Sequence, residues 1–515
     1  MRAPFGAVKR MKPYSSQTAA KSRLAAHSLA SEPRAKQVGV ALVLRMASIG
    51  AMIVLGGCSV GPRYKPHAVK LQPFHNAPSI ASRNTRLPAP ALDTWWVGFN
   101  DPELSRIVQL AISQNLDLAA SVARVEQARA AAKEAGARLK PYGTLNGQST
   151  SFRQSLESPV GRFAGAFPTF ERNQTYLDLG VAASWEIDLF GGLRRGVEVA
   201  TDEAQAAEAE HLGTRVSIAS EAADAYMQIR GTQARLFFTR EQIVTDEHLL
   251  ELVSQRRAAG IASDREQAQA EAVLAQARAT VPQLMIILEA QLNRLDVLMG
   301  AQPGTYAAEL AAPSDIPVIP SITTLADPSE LLRRRPDIIA AERRVAASNA
   351  RIGQVLSEYY PKISVSGFLG NEAISPGNLF REKGFQPSAV AGLRWRLFDF
   401  GRIDAEVRQA KGANAEAILR YRSSVLRAAE DVEDSFSLLG HAEARGDEIL
   451  IEIAALQRVR DRSLEAYQAG VIGLTDVLDA ERQLLVAKDD LAVARQTAAQ
   501  AAVGSFRALG GGWTP

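Results

Sequence analysis

Three stretches of the chain alternate apolar and polar residues with a period of two. In YLDLGVAASWEIDL (176–189), Leu177, Leu179, Val181, Ala183, Trp185, Ile187 and Leu189 share one face. Asp178, Ser184, Glu186 and Asp188 take the other. In PKISVSGFLG (361–370), Ile363, Val365 and Leu369 alternate with Lys362, Ser364 and Ser366. Further on, Ala389, Ala391, Leu393, Trp395 and Leu397 lie opposite Arg394 and Arg396. This is the pattern of a half-buried sheet, and it predicts two pairs of strands, at about 142–190 and 361–400.

Elsewhere the apolar period is helical. A first helix is predicted over 103–139, ended by Pro141. A long one runs from about Gly196 to Arg257, in which Val216, Ala219, Ala223 and Tyr226 step by three, four and three, as in a coiled-coil seam. Sixty residues of helix span roughly 90 Å, too long for a compact domain. After a turn at Gly260, helix resumes to Met299, with a kink expected at Pro282. The plan then repeats as helix 329–359, strands, helix 403–468, a turn, and helix 474–508.

The repeat is visible in the letters. SWEIDLFGGLRRGVEVA (184–200) and RWRLFDFGRIDAEVRQA (394–410) match Trp185 to Trp395, Phe190 to Phe400 and Gly191 to Gly401, an offset of 210. Downstream, Gly260 matches Gly470 and Glu271 matches Glu481. Upstream, NLDLAASVARVEQAR (115–129) matches RPDIIAAERRVAASN (335–349) at an offset of 220. The first copy therefore carries about ten extra residues between Pro141 and Trp185. Such a duplication fixes the architecture. Pro303, Pro313, Pro317 and Pro320 mark a linker between the copies. The organisation read from this is a leader at 1–57, an N-terminal segment 58–102, a first repeat 103–300, a linker 301–328, a second repeat 329–509 and a tail 510–515.

Strands of about ten residues cross a bilayer obliquely. A soluble sheet packed on a helix fits less well, because the helices are too long to fold back over the hairpins. Four strands alone would leave unpaired edges in hydrocarbon, and membrane barrels begin at about eight strands. Several copies must pool their strands: two copies give eight and three give twelve, and only the larger barrel leaves an open polar lumen. The charged faces would line it.

Composition adds compartment. The 515 residues carry a net charge of +3, which gives no electrostatic case for nucleic acid. The single cysteine, Cys58, excludes an internal disulfide framework. It ends a basic-then-apolar leader at Leu55-Gly56-Gly57-Cys58, the pattern of a secretory signal cut before a cysteine that is then acylated. A membrane span over Val38–Gly57 is the alternative, but Arg45 in its middle would cost roughly 2.5–3.5 kcal/mol. Ser59 follows where an aspartate would signal inner-membrane retention, so delivery to the outer membrane is expected.

Candidate chemistry is sparse. The six histidines (27, 67, 75, 211, 248 and 441) show no metal-ligand spacing, and no phosphate loop, nucleophile elbow or dinucleotide fingerprint is present. An enzyme is not expected. Asp476 and Asp479, three apart in AYQAGVIGLTDVLDAERQLL (466–485), share one helix face. They can be read as an acid pair or as a solvated face. The corresponding acids of the first copy are Asp264 and Glu266. Gly260 and Gly470 stand where the helices reverse, a position suited to a left-handed C-cap.

The mature chain resembles the TolC-like outer-membrane efflux proteins, in their lipoprotein branch of the nodulation-protein-T/RND type, which serves multidrug pumps. The resemblance rests on CSVGPRYKP (58–66), WWVGFNDPEL (95–104), RRRPDI (333–338), the two tryptophan-to-glycine strand ends and ALGGGW (508–513). It implies a mainly α fold with a membrane β-barrel: a homotrimer whose four strands per chain complete a twelve-stranded barrel, continuous with a periplasmic helical tunnel. It implies lipid on Cys58 and no other cofactor. A periplasmic adaptor and an inner-membrane RND-type transporter are the implied partners, with drugs or other toxic small molecules as cargo. A type I protein-secretion outlet is the alternative within the family, and a structural coiled-coil lipoprotein is a more distant one. By position, Gly260, Ile261, Ala262 and Ser263, with Gly470, Val471, Ile472 and Gly473, form adaptor-docking tips. Tyr467, Asp476 and Asp479 border the periplasmic aperture, where six carboxylates around a threefold axis should repel one another and raise some of their pKa values. Ile472 stands where such proteins carry a tethering arginine.

Overall fold

The computed structural model describes residues 59–66, 71–83, 85–322 and 328–514. The expected leader at 1–57 and Cys58 lie outside the described residues. The first repeat opens with α1 (Pro102–Gln114) and α2 (Leu116–Ala137), followed by β1 (Tyr142–Arg153) and β2 (Asn173–Ile187). The hairpin of α3 (Gly192–Ala258) and α4 (Asp264–Leu298) completes it. The second repeat has α5 (Pro336–Leu356), β3 (Lys362–Ala373), β4 (Ser388–Arg394), α6 (Arg402–Gln468) and α7 (Leu474–Ala508). α3 and α6 have 67 residues each, about 100 Å at the α-helical rise. α4 runs unbroken through Pro282, so the Arg278 carbonyl lacks its intrahelical donor.

The expected continuous helix over 103–139 is two helices. At Asn115 the backbone leaves the helical region, with ψ at 129°. Its Oδ1 caps α2 by accepting from the Leu118 amide at 2.9 Å, and its Nδ2 donates to the Leu298 carbonyl at 3.0 Å. The second copy breaks at the equivalent residue, Arg335, for a different reason: Pro336 follows and disfavours helical geometry before it. The expected helix over 329–359 is accordingly preceded by short turns at Pro328–Glu330 and Leu331–Arg334.

The strands form one antiparallel sheet in the order β1-β2-β3-β4. Tyr142 pairs with Ser184, and Lys362 pairs with Arg394. These are the same rung of the two copies, with β1 offset by 220 and β2 by 210. The extra ten residues therefore lie between these rungs, divided between a β2 that starts further from the rung than β4 does and a longer β1–β2 connection, which carries a short helix at Pro159–Ala164. β4 ends at Arg394, short of the expected Trp395 and Leu397. β2 reaches Ile187 because β3 flanks it there, with Ile187 opposite Ile363. Within one chain β4 has no second neighbour among the described strands. The two tryptophans still hold equivalent places: Trp185 Nε1 donates to the Leu139 carbonyl and Trp395 Nε1 to the Tyr359 carbonyl, both at 2.9 Å.

Register sorts the faces as the alternation requires. Leu145, Val181 and Leu369 form one row and Trp185, Val365 and Ala391 another, on the apolar side. That side stays largely exposed in the single chain. Gln148, Asp178 and Glu372 make a row on the opposite, polar side.

The core lies away from the sheet. Trp95 stacks on Phe506 at 5.4 Å, with Phe99, Ile107, Tyr226, Leu295 and Met299 buried around them. α3 buries Ala219, Ala222, Ala223 and Ala225, and α7 buries Ala498, Ala499, Ala501 and Ala502. Small side chains let these helices approach closely, which accounts for an alanine-rich composition. The flanking segments are tied to one another. Ser321 donates to the Leu87 carbonyl at 3.0 Å, Gly512 to the Leu92 carbonyl at 2.7 Å, and Trp513 Nε1 to the Arg334 carbonyl at 3.0 Å. Arg83 grips Glu443 of α6 through two nitrogens, at 2.5 and 2.7 Å.

Candidate functional site at the helical tips

Both long helices end in the same motif. The Ile261 amide donates to the Arg256 carbonyl at 2.8 Å and the Gly260 amide to that of Arg257 at 2.9 Å. The pattern recurs from Val471 to Ala466 at 2.9 Å and from Gly470 to Tyr467 at 3.0 Å. These are Schellman closures, which need a left-handed residue after the helix. Gly260 and Gly470 supply it at φ of 75° and 76°. Beyond each glycine one apolar residue points outward, Ile261 at 66% exposed and Val471 at 75%. The next, Ala262 or Ile472, packs against the cluster of Leu249, Val253, Tyr467, Leu474 and Val477.

The two tips then diverge. Ser263 caps α4 in a box with Glu266, and Arg257 pairs with Asp264 at 2.7 Å. The acids of the first tip are thereby engaged within it. The second tip begins α7 at Gly473 without a side-chain cap. Asp476 and Asp479 lie on an exposed face, while Leu474, Val477 and Leu478 point inward. Asp479 accepts from Arg482 at 2.7 Å and Gln483 at 2.6 Å. Arg482 holds the Asp479 carboxyl below the usual carboxylate range. Within one chain this is opposite to the expected upward shift, because a cation sits one turn away.

Tyr467 is buried, and its partner is a residue that the sequence pattern does not single out. Arg256, in the last turn of α3, lies over the Tyr467 ring at 4.5 Å and donates to the carbonyls of Tyr467 at 3.2 Å and Gln468 at 3.4 Å. It thus caps the C-terminal end of α6 from the other hairpin, where a cation is favoured. Burial raises the Tyr467 pKa, with Arg256 opposing. A basic last turn in α3 is the available signal, but it reads equally well as a charge complementing its own helix. Ile472, in the place of the expected arginine, supplies apolar packing instead.

Polar contacts continue the α3–α7 seam away from the tip. Arg235 binds Asp489 at 2.6 and 3.0 Å, and Gln500 donates to Asp224 at 2.8 Å. At Gly231 the helices come so close that a Cβ would lie 2.2 Å from Gln496 Oε1.

A sheet with one apolar and one polar face, continued by two helical hairpins of this length, defines a subunit of a membrane-spanning channel. Residues 107–301 and 328–511, the two repeats, match the model of the outer membrane efflux protein family. The chain is 31% identical over 474 residues to the pyoverdine export outer membrane protein OpmQ of Pseudomonas aeruginosa, spanning 91% of this chain and 97% of that one. It is 31% identical to the outer membrane protein OprJ of the same species, spanning 90% and 94% of the two chains. The solved structure of the outer-membrane channel OprN superposes with a TM-score of 0.81 at 32% identity, covering 89% of this chain and all of that one. The chain belongs to the outer membrane efflux protein family, and it is the outer-membrane channel component of an efflux system.

Proposed function

We propose that three copies of the chain assemble into one conduit that carries drugs or other toxic small molecules from a periplasmic adaptor and an inner-membrane RND-type transporter to the outside. The observation that carries this reading is the four-stranded sheet, apolar on one face and with β1 and β4 at its edges. The duplication supplies the missing partner. Since β2 pairs with β3 inside the chain, β4 pairs by the same rule with β1 of the next copy. The rung of Trp185 and Val365 becomes Trp395 opposite Leu145 of the neighbour. The rung of Val181 and Leu369 becomes Ala391 opposite Ser149.

Every such rung sets the apolar face of one chain beside the apolar face of the next. The barrel closes without an edge, and the row of Gln148, Asp178 and Glu372 lines its lumen.

The lipid anchor fits the same arrangement. Ser59, next to Cys58 in sequence, lies so close to Gly191 that a Cβ there would be 2.8 Å from the Ser59 Cα. The Val60 amide donates to the Phe190 carbonyl at 3.1 Å. These contacts seat Ser59 and Val60 at the foot of β2, where a lipid anchor would meet the membrane boundary. The outward Ile261 and Val471 give the tips an apolar contact for the adaptor. One relative is named for pyoverdine export and others for antibiotic or toluene efflux, so a protein-secretion outlet is not favoured. The test is a deletion strain: drug accumulation should rise and return to normal on complementation, with secreted protein unchanged. Unchanged accumulation together with lost protein secretion would contradict the reading.

A further inference from the structure

Most polar contacts along the α3–α7 seam pair a charge with an opposite charge or an amide. Toward the tip from Lys488, which faces Glu241 at 3.7 Å, that rule fails. Asp246 of α3 and Glu481 of α7 are 2% and 3% exposed. Asp246 Oδ1 accepts from Gln242 at 2.7 Å, but its Oδ2 is buried with no hydrogen-bond partner among the described residues. The cation nearest Glu481 is Arg460 of α6, at 3.8 Å, and Arg460 is also held by Asp461 at 2.6 Å. On the α4 side, Arg278 is taken by Glu247 at 2.6 Å. Glu481 thus has a single ion-pair partner, at a long distance, and Asp246 pairs with no cation among the described residues.

Burying an unpaired carboxylate is costly, and such a group takes up a proton instead. Burial raises the pKa of both groups. At Glu481 the Asp246 charge adds to the rise, while Arg460, Gln242 and Lys488 oppose it. Nothing in hairpin packing requires this arrangement. At the offset of 210, the counterpart of Asp246 is Leu456, and the counterpart of Glu481 is Glu271, which is exposed.

We propose that Asp246 and Glu481 hold a proton between the two helical hairpins, so that the seam beside the tip tightens as the periplasm acidifies and loosens as pH rises. This regulation rests on the channel reading given above. The sign follows from linkage. The closed seam binds protons more tightly than an opened, hydrated one, so protonation favours closure. That advantage is full below the ordinary carboxylate range and is lost as pH rises through the raised values.

Two measurements on the full-length protein test the proposal. In planar bilayers with pH stepped from about 5 to 8 on the tip side, the open fraction should rise on the order of tenfold. Asp246→Asn with Glu481→Gln should hold the low-pH behaviour throughout, whereas Glu271→Gln, at the exposed counterpart of Glu481, should keep the response. Arg460→Gln should move it to higher pH. Hydrogen exchange of the α7 amides around Glu481, corrected for intrinsic rates, reads the same seam without conduction. Protection should fall with rising pH in the parent and stay level in the Asn/Gln pair. A pair that follows the parent in exchange overturns the proposal, whereas an absence of pores in the parent would count against the channel reading instead.

Discussion

The guanidinium of Arg256 lies 4.5 Å from the centre of the Tyr467 ring and joins the ends of two helices more than two hundred residues apart in sequence. It donates to the Tyr467 and Gln468 carbonyls as well. One residue of the first hairpin thereby fastens the second. Removing it in Arg256→Gln forfeits about 1 kcal/mol of cation–π attraction at a partly buried site. The expected outcome is a less tightly closed tip, seen as a severalfold greater open fraction in single-channel recordings. An Arg256→Lys variant should recover part of the closure. Recordings identical to the parent would assign the closed state to other contacts.

Asp476 and Asp479 face outward beside this fastening, while the acids of the first tip are held by Arg257 and Ser263. Replacing both aspartates by alanine should reduce cation selectivity and relieve block by multivalent cations, read as a shift in reversal potential. Arg482→Ala frees Asp479 from its partner and should shift selectivity the other way. A reversal potential that ignores all three changes would remove the acids from the conduction path.

Gly470 has open space around its missing Cβ but a φ of 76°. A Cβ there has no atom within 4 Å, so Gly470→Ala costs chiefly backbone strain, about 1–2 kcal/mol, too little to unfold the chain. The expected result is normal expression with reduced drug resistance, because the outward tip is reshaped. Full resistance in that variant would separate the tip from pump assembly.

Cys58→Ser should abolish incorporation of labelled fatty acid. The barrel reading also requires that the variant still fractionate with the outer membrane, since the strands span it independently. Retained label would move the lipid elsewhere.

Much of this fold is legible in the residues. The offsets of 210 and 220 carry the duplication, and the two 67-residue helices follow from apolar spacing. The left-handed Gly260 and Gly470 follow from their place between helices. The break at Asn115 is not legible, because asparagine is an ordinary helix-surface residue unless a partner such as the Leu298 carbonyl holds it. Trp395 and Leu397 carry the strand pattern but need a neighbouring chain to pair with. Arg256, Asp246 and Glu481 look like any solvated helix charges, since only the crossing of α3 with the second hairpin decides that they are covered. Long-range packing, rather than local preference, sets each of these.

The seam between copies offers the most direct test. With Ala391→Cys and Ser149→Cys in one chain, strand pairing in the register inherited from β2 and β3 brings the two sulfurs of adjacent copies together. Oxidised outer membranes should yield a covalent trimer on a non-reducing gel, reverting to monomer on reduction, with neither single cysteine sufficient. A double variant that stays monomeric, while Ala391→Cys with Gly147→Cys cross-links instead, would contradict this closure of the barrel.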